Sequence, residues 1–324
     1  MMWLSRCLIA ITFSLTAACV NAQPASSRPI AAIAPVFQEG QIIDTATGEA
    51  VSLDQVMARL LQQDVIYFGE EHHNRHHIDA ALIVLHRLVA EGRQPLMAME
   101  MFGWDGQPVI DRYLSTAEAD RKEFLDHVGW QHNWGGPFED YEPLVQFARD
   151  RSLSLVAMNP PKSLIRTVAK QGLDQARRGS EMAQWSLQDE TIEEDPIYRA
   201  RILQQLRACH DGGSDAMYRT MYEASMVRDE GMAKVIASHV ERLRTKPFTG
   251  PVVSYTGGGH IQLNLPVPKR VARRLDHHVR QVSIYMTSFE KERISDIQDM
   301  VGEQIADYVW LTAVSVYGSP RRCR

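Results

Sequence analysis

Six short, largely apolar runs separated by helical patterns constrain this sequence most. They are "DVIYFG" (64–69), "PLMAMEMF" (95–102), "LSLVAMN" (153–159), "PVVSYTG" (251–257), "VRQVSIYM" (279–286) and "DYVWLTAV" (307–314). Most lack the strict polar–apolar alternation of a strand with one wet face, so they suit strands covered on both sides. Between them, "SLDQVMARLL" (52–61) opens with the capping-box pair Ser52 and Gln55, and "IDAALIVLHRLVAEG" (78–92) carries apolar residues at helical spacing up to Gly92. This order predicts an α/β fold, a mostly parallel sheet flanked by helices. Residues 161–247 contain no convincing strand. They read as long, Met-rich helices, a smaller helical subdomain inserted over one edge of the sheet before the late strands.

Ligands of open α/β sheets bind beyond the carboxyl ends of the strands, and four such ends carry reactive side chains. The first run leads into "YFGEEHHNRHHI" (67–78), which holds four of the chain's 12 histidines and supplies Glu70, Glu71, His72 and His73. Glu100 stands inside the second run, Asn159 ends the third, and "TGGGH" carries the fourth to His260. A carboxylate buried in an apolar strand is unfavourable by several kcal/mol unless paired. Glu100 therefore needs a partner, with His72, His260 or a structural arginine as candidates. Glu70 and His72 are two apart and face the same way if the strand continues. His72/His76 and His73/His77 are four apart, a spacing that can chelate a transition metal on a helix. The HExxH pattern is absent, however, and the plainer reading of His76 and His77 is a solvated helix start.

Three further stretches have both a structural and a functional reading. "GWQHNWGGPFEDYEP" (129–143) is a packed lid or satellite core, or a loop that stacks on a flat ligand. "MYRTMYEASMVRDEGMA" (217–233) reads mainly as core, yet Tyr218, Tyr222 and the methionines also suit the lining of a haem pocket. "KRVARR" (269–274) reads as a solvated helix face.

Arg6 and the apolar "CLIAITFSLTAACV" form an export signal too short to be a permanent span. Two cleavage sites compete. Cutting after Ala22 makes 1–22 a signal peptide and releases a soluble periplasmic chain; a lipobox-like "LTAAC" would instead leave Cys19 as a lipid anchor to the envelope membrane. Residues 23–39 read as a flexible arm, 40–318 as the folded domain and 319–324 as a tail. Cleavage at Ala22 leaves Cys209 and Cys323, enough for one disulfide. A net charge of −5 with both signs spread along the chain speaks against nucleic acid as a partner.

"YFGEEHHNRHH", "MAMEMF", "YEPLVQFAR", "VAMNPPKSLIRTVAKQGL", "MVRDEGMA" and "TGGGHI" occur in an order that resembles the ChaN-like haem-binding lipoproteins, within the Tiki/TraB and erythromycin-esterase-like superfamily. The resemblance covers residues 40–290. It implies haem binding in a bacterial envelope, linked to iron uptake, with a homodimer enclosing haem and Tyr or His at the iron. It also implies a second possibility, since the Tiki branch is hydrolytic and uses a Gly-x-x-His motif with a divalent metal ion. That motif falls on Gly69 to His72, with Glu100 as the second glutamate and His260 as the late histidine. Two functions follow. One is haem binding through His72, His260, Tyr218 or Tyr222. The other is a hydrolase in which Glu70 and His72 activate water, alone or beside a metal held by Glu70, His72, Glu100 and His260. In both, Glu70 is expected to serve water activation more than iron.

Overall fold

The computed structural model describes residues 37–210, 212–245 and 250–318. The expected export signal, Cys19, most of the arm and the tail lie outside the described residues. Eight strands form one sheet: β1 (Ile42–Asp44), β2 (Glu49–Val51), β3 (Val65–Glu70), β4 (Leu96–Gly103), β5 (Leu155–Asn159), β6 (Val252–Gly257), β7 (Gln281–Ser288) and β8 (Tyr308–Thr312). Their spatial order is β2-β1-β8-β7-β3-β6-β4-β5. The six apolar runs are the six strands from β3 to β8, all parallel to one another. The antiparallel β1–β2 hairpin extends the β8 edge; its strands are three residues long, too short to leave a periodic signal.

Side chains alternate across the sheet as the two-residue period requires. Ile66 and Phe68 join one core with Met97, Met99 and Tyr255, beneath helices Leu53–Leu60, Arg75–Ala90 and Glu142–Asp150. Val65 and Tyr67 join a second core with Leu96, Ala98 and Val252, beneath helices Asp215–Arg244 and Val267–Arg274. The capping box at Ser52 is formed as its spacing predicts, with reciprocal bonds to Gln55.

The inserted helices do more than cover an edge. The last of them, the 30-residue helix Asp215–Arg244, lays Met232, Ala233, Ile236, Ala237 and Val240 on the second face of the sheet. Its overall hydrophobicity is modest because the same helix carries charged residues that meet other elements, and that mixture hid its central position. "KRVARR" also departs from its expected solvated role. Arg270, Arg273 and Arg274 all close on the fully buried Glu230 at 3.1, 2.7 and 2.9 Å. One desolvated carboxylate shared by three guanidiniums ties two helices together, and each partner is needed to avoid an uncompensated buried charge.

Candidate functional site

Chain direction sets the location. From β3 the chain moves to β4 and β5 on one side; β6 returns between β3 and β4, and β7 and β8 follow on the other side. The carboxyl ends of β3, β6 and β4 therefore lie side by side at the point where the winding reverses. Glu70 ends β3 opposite Gly257. The β4–β6 ladder stops at Met99 and Tyr255, and the β4–β5 register shifts just beyond. Glu100 occupies that break, and its carboxylate accepts the Gly257 N–H and the Thr256 hydroxyl, each at 2.7 Å. A side chain thus replaces the missing ladder acceptor, as irregular strand ends beside functional sites often allow.

Two carboxylate–histidine pairs result. On the face of Ile66 and Phe68, Glu70 is fully buried and accepts hydrogen bonds from Tyr141 (2.7 Å) and Tyr255 (2.9 Å). Its Oε1 also lies 2.8 Å from His72 Nδ1. Burial pushes the Glu70 carboxyl up, against the opposing pull of His72 and the two tyrosines. Burial works against charge on His72, but the bond and charge of Glu70, helped by Glu100, hold its basicity above the usual value.

On the other face, His260 lies between two acids: Nδ1 is 2.5 Å from Asp229 and Nε2 is 3.1 Å from Glu100. Asp229 in turn accepts the Tyr198 hydroxyl at 2.6 Å. Burial opposes charge on His260, yet Glu100 and Asp229 raise it to about 10, so at neutral pH it is an imidazolium. Burial likewise opposes charge on Glu100, and the positive His260 reverses this, holding the carboxyl well below its ordinary range.

His72 is where the two faces meet. Its side chain is 48 % exposed, and the Trp134 ring stands edge-on to it at 4.7 Å. Gly257 makes room for it: a Cβ there would sit 2.7 Å from His72 Cε1 and 3.5 Å from Glu100 Oε2. His72 Nε2 has no hydrogen-bond partner among the described residues. A cavity of about 210 Å³ adjoins, lined by Glu100, Trp134, Asn159, Lys162 and Arg228 among others.

The structure thus gathers Glu70, His72, Glu100 and His260. Tyr218 and Tyr222 are not with them. They precede Asp229 on one helix by enough residues to stand roughly 16 and 10 Å back along its axis. Tyr218 donates to the His210 carbonyl, and Tyr222 packs against Tyr198 at 5.8 Å. The tyrosines that reach the cluster are instead Tyr141 and Tyr255, at Glu70, and Tyr198, through Asp229. His77 is also not a solvated helix residue: it is fully buried, accepts the Glu71 N–H at 3.0 Å, and burial lowers it to about 4, a neutral core histidine. Glu71 turns away to Thr287 and Ser288. His73 pairs with Asp140 at 2.8 Å. The aromatic loop is partly core, through Trp130 and Phe138, and partly site wall, through Trp134 and Tyr141. A divalent ion does not fit the four residues as they stand. Glu70, Glu100 and His260 use their donor atoms on one another and on protein hydroxyls, and no group of three or more His, Cys, Asp or Glu among the described residues is arranged to hold a metal.

Tyr141, Tyr255 and Asp229 did not stand out as site residues in the sequence. A tyrosine in a strand buried on both faces needs a partner for its hydroxyl, and Tyr255, two residues before Gly257, carried that signal.

An open α/β sheet with carboxylate-held histidines at its winding reversal has the form of a ligand-binding or catalytic protein. A family pattern described as "Haem-binding uptake, Tiki superfamily, ChaN" matches residues 56–271. The chain belongs to this haem-binding family. Among solved structures it is similar to ChaN of Campylobacter jejuni, whose structure describes cofacial haem binding (TM-score 0.63, 18 % identity, 85 % of this chain and 98 % of that one). It is also similar, more distantly, to the erythromycin esterase EreC (TM-score 0.42, 13 % identity, 78 % and 77 % of the two chains). A curated relative, the chloroplast protein RETICULATA-RELATED 5 of Arabidopsis thaliana, is 24 % identical over 277 residues. The match takes in 80 % of this chain but only 35 % of that protein's length.

Proposed function

We propose that this chain is a haem-binding protein of a bacterial envelope, serving haem and iron acquisition, and that His72 is its iron ligand. One observation carries the assignment of the residue. His72 alone in the cluster combines an exposed ring, a nitrogen fixed by a buried carboxylate, and a second nitrogen with no partner. Ligating histidines are typically oriented in this way, through the nitrogen that does not touch the metal. His260 is unsuited to the task, because both its nitrogens are engaged and it carries a proton. Haem, when bound, would supply the iron that such a nitrogen could hold. Trp134 offers an apolar edge beside it.

A cavity of about 210 Å³ is smaller than the ~300–1,000 Å³ usual for drug-sized ligands, so most of a macrocycle bound at His72 lies outside it. A second copy of the chain, covering the exposed porphyrin face, completes the site in this reading. Export belongs to the same reading, either with residues 1–22 removed as a signal peptide or with cleavage before Cys19, which then becomes a lipid anchor. No described helix is long and apolar enough to cross a membrane. The test is an absorbance titration of the purified chain with haem, followed by size-exclusion chromatography. The reading expects a Soret band of ligated haem and a shift to dimer; the spectrum of free haem alone would overturn it.

The unbonded Nε2 of His72 beside Glu100 also favours a second reading, a general-base hydrolase. Glu70 would hold His72 in the tautomer that accepts a proton from water, and the His260 imidazolium would stabilise developing negative charge. Turnover of ester or peptide substrates that disappears in Glu70→Gln and His72→Ala would support it.

A further inference from the structure

A groove on the helical insertion carries cations and a phenol that the His72 cluster does not use. It runs between the helices Pro196–Cys209 and Asp215–Arg244 and holds a cavity of about 380 Å³. That volume lies within the ~300–1,000 Å³ usual for small ligands. One wall is a stripe of the first helix, Arg199, Leu203 and Arg207, spaced four residues apart and so on one face. The facing wall is one side of the second helix, with Tyr218, Arg219 and Tyr222.

Two arginines lie over the two tyrosine rings. The Arg199 guanidinium is 5.7 Å from the Tyr222 ring centre, and the Arg207 guanidinium is 5.6 Å from that of Tyr218. The rings are four residues apart on one helix, which sets the two guanidiniums roughly 6 Å from each other. Their acids hold these cations loosely. Arg199 meets Glu194 at 3.3 Å, Arg207 meets Asp215 at 3.3 Å and Arg219 meets Glu223 at 3.9 Å. Glu194 and Asp215 are 59 % and 94 % exposed, and solvated pairs of this kind contribute little. By contrast, the arginines on buried Glu230 close to 3.1, 2.7 and 2.9 Å.

Tyr222 supplies an independent sign of a missing partner. The residue is 1 % exposed, yet its hydroxyl has no hydrogen-bond partner among the described residues. Buried phenols normally find one. Burial, and then the charge of Glu194, push its pKa up to about 12, so the hydroxyl keeps its proton and can donate. Tyr218, one turn earlier, has its hydroxyl engaged by the His210 carbonyl and the Gly213 N–H.

Three guanidiniums and a phenol offer donors around a floor of rings and Leu203. A phosphoryl group suits this set better than a carboxylate, since its three terminal oxygens give each guanidinium an acceptor where a carboxylate has two. We propose that the groove binds a phosphate monoester with a small apolar or aromatic body. Arg199, Arg207 and Arg219 take the phosphoryl oxygens, Tyr222 donates one further hydrogen bond, and the body lies against Leu203 and the rings. The site is separate from His72 and does not depend on the haem reading.

Phenyl phosphate is the probe, titrated by calorimetry into wild type, Arg199→Gln, Arg207→Gln and Tyr222→Phe, with benzoate as the planar comparison. Phosphatidylcholine vesicles with and without phosphatidic acid test a lipid headgroup as the source of the phosphoryl group. Circular dichroism confirms that the variants fold, and Tyr222→Phe tests the site without removing a charge. The wild type should bind one phenyl phosphate saturably, roughly tenfold more tightly than benzoate. Each arginine variant should lose roughly tenfold and Tyr222→Phe several-fold, while His72→Ala binds as wild type. Arginine-dependent binding to phosphatidic acid vesicles alone would support the phosphoryl site and assign its ligand to a lipid headgroup. Absence of saturable binding to either probe would overturn the proposal. So would equal affinity in wild type and all three groove variants, or a loss confined to His72→Ala.

Discussion

His260 makes a pH-dependent contribution to stability that a single variant can isolate. Its imidazole lies between Asp229 at 2.5 Å and Glu100 at 3.1 Å, with the side chain 18 % exposed. These acids raise it from the ordinary 6.5 to about 10, over the opposing effect of burial. A folded-state pKa above the unfolded one gives stability that is complete below about 6.5 and is lost as pH rises through about 10. At ~1.4 kcal/mol per pH unit the interval amounts to an upper figure of about 5 kcal/mol. The assay is urea unfolding followed by circular dichroism from pH 6 to pH 10, on wild type and His260→Gln. The wild type should lose several kcal/mol more than the variant across that range. In the variant, Glu100 lacks its cation, so any gain on acidification should come at lower pH, where that carboxylate takes up a proton, and not between pH 10 and 6.5. Parallel pH profiles for the two proteins would refute the triad as described.

Glu70→Gln should weaken haem binding about 10–100-fold, because Glu70 orients His72 directly; haem titration of the two proteins checks this. Gly257→Ala should displace the His72 ring, since the added Cβ would sit 2.7 Å from Cε1. The expected outcome is a folded protein with reduced haem affinity and an altered haem spectrum. Tyr198→Phe removes the hydroxyl that Asp229 accepts at 2.6 Å and should destabilise the fold by about 1–3 kcal/mol in urea unfolding while leaving haem affinity unchanged.

The parallel sheet was legible in the sequence because strands covered on both faces leave continuous apolar runs. Glu100 stood out for the same reason, as a charge inside "MAMEMF" that demanded a partner. The role of Glu70 was only half legible. Proximity in sequence linked it to His72, but only the fold shows that it buries its carboxylate under Tyr141 and Tyr255 and holds His72 by Nδ1. In the haem reading proposed above it would orient His72 toward iron, a role the sequence expectation gave it less weight for than water activation. Asp229 was hidden by its helix, where it is one of several acids and nothing in the pattern shows that it is the one facing His260. Tyr218 and Tyr222 misled for a related reason. Composition marks a helix as rich in tyrosine, but the 1.5 Å rise per residue decides which part of it reaches the cluster. "KRVARR" looked solvated because its partner, Glu230, lies on a different helix, far away in sequence. The β1–β2 hairpin was too short to see.

His72 carries the central claim, and a haem titration of wild type beside His72→Ala tests it most directly. The ring is half exposed, so its removal should leave the fold and the far-ultraviolet spectrum unchanged. The account predicts a ligated-haem Soret band in the wild type and its loss, or a shift to the spectrum of unligated haem, in the variant. Equal affinity with an identical spectrum in both proteins would contradict it and place the iron ligand elsewhere in the chain.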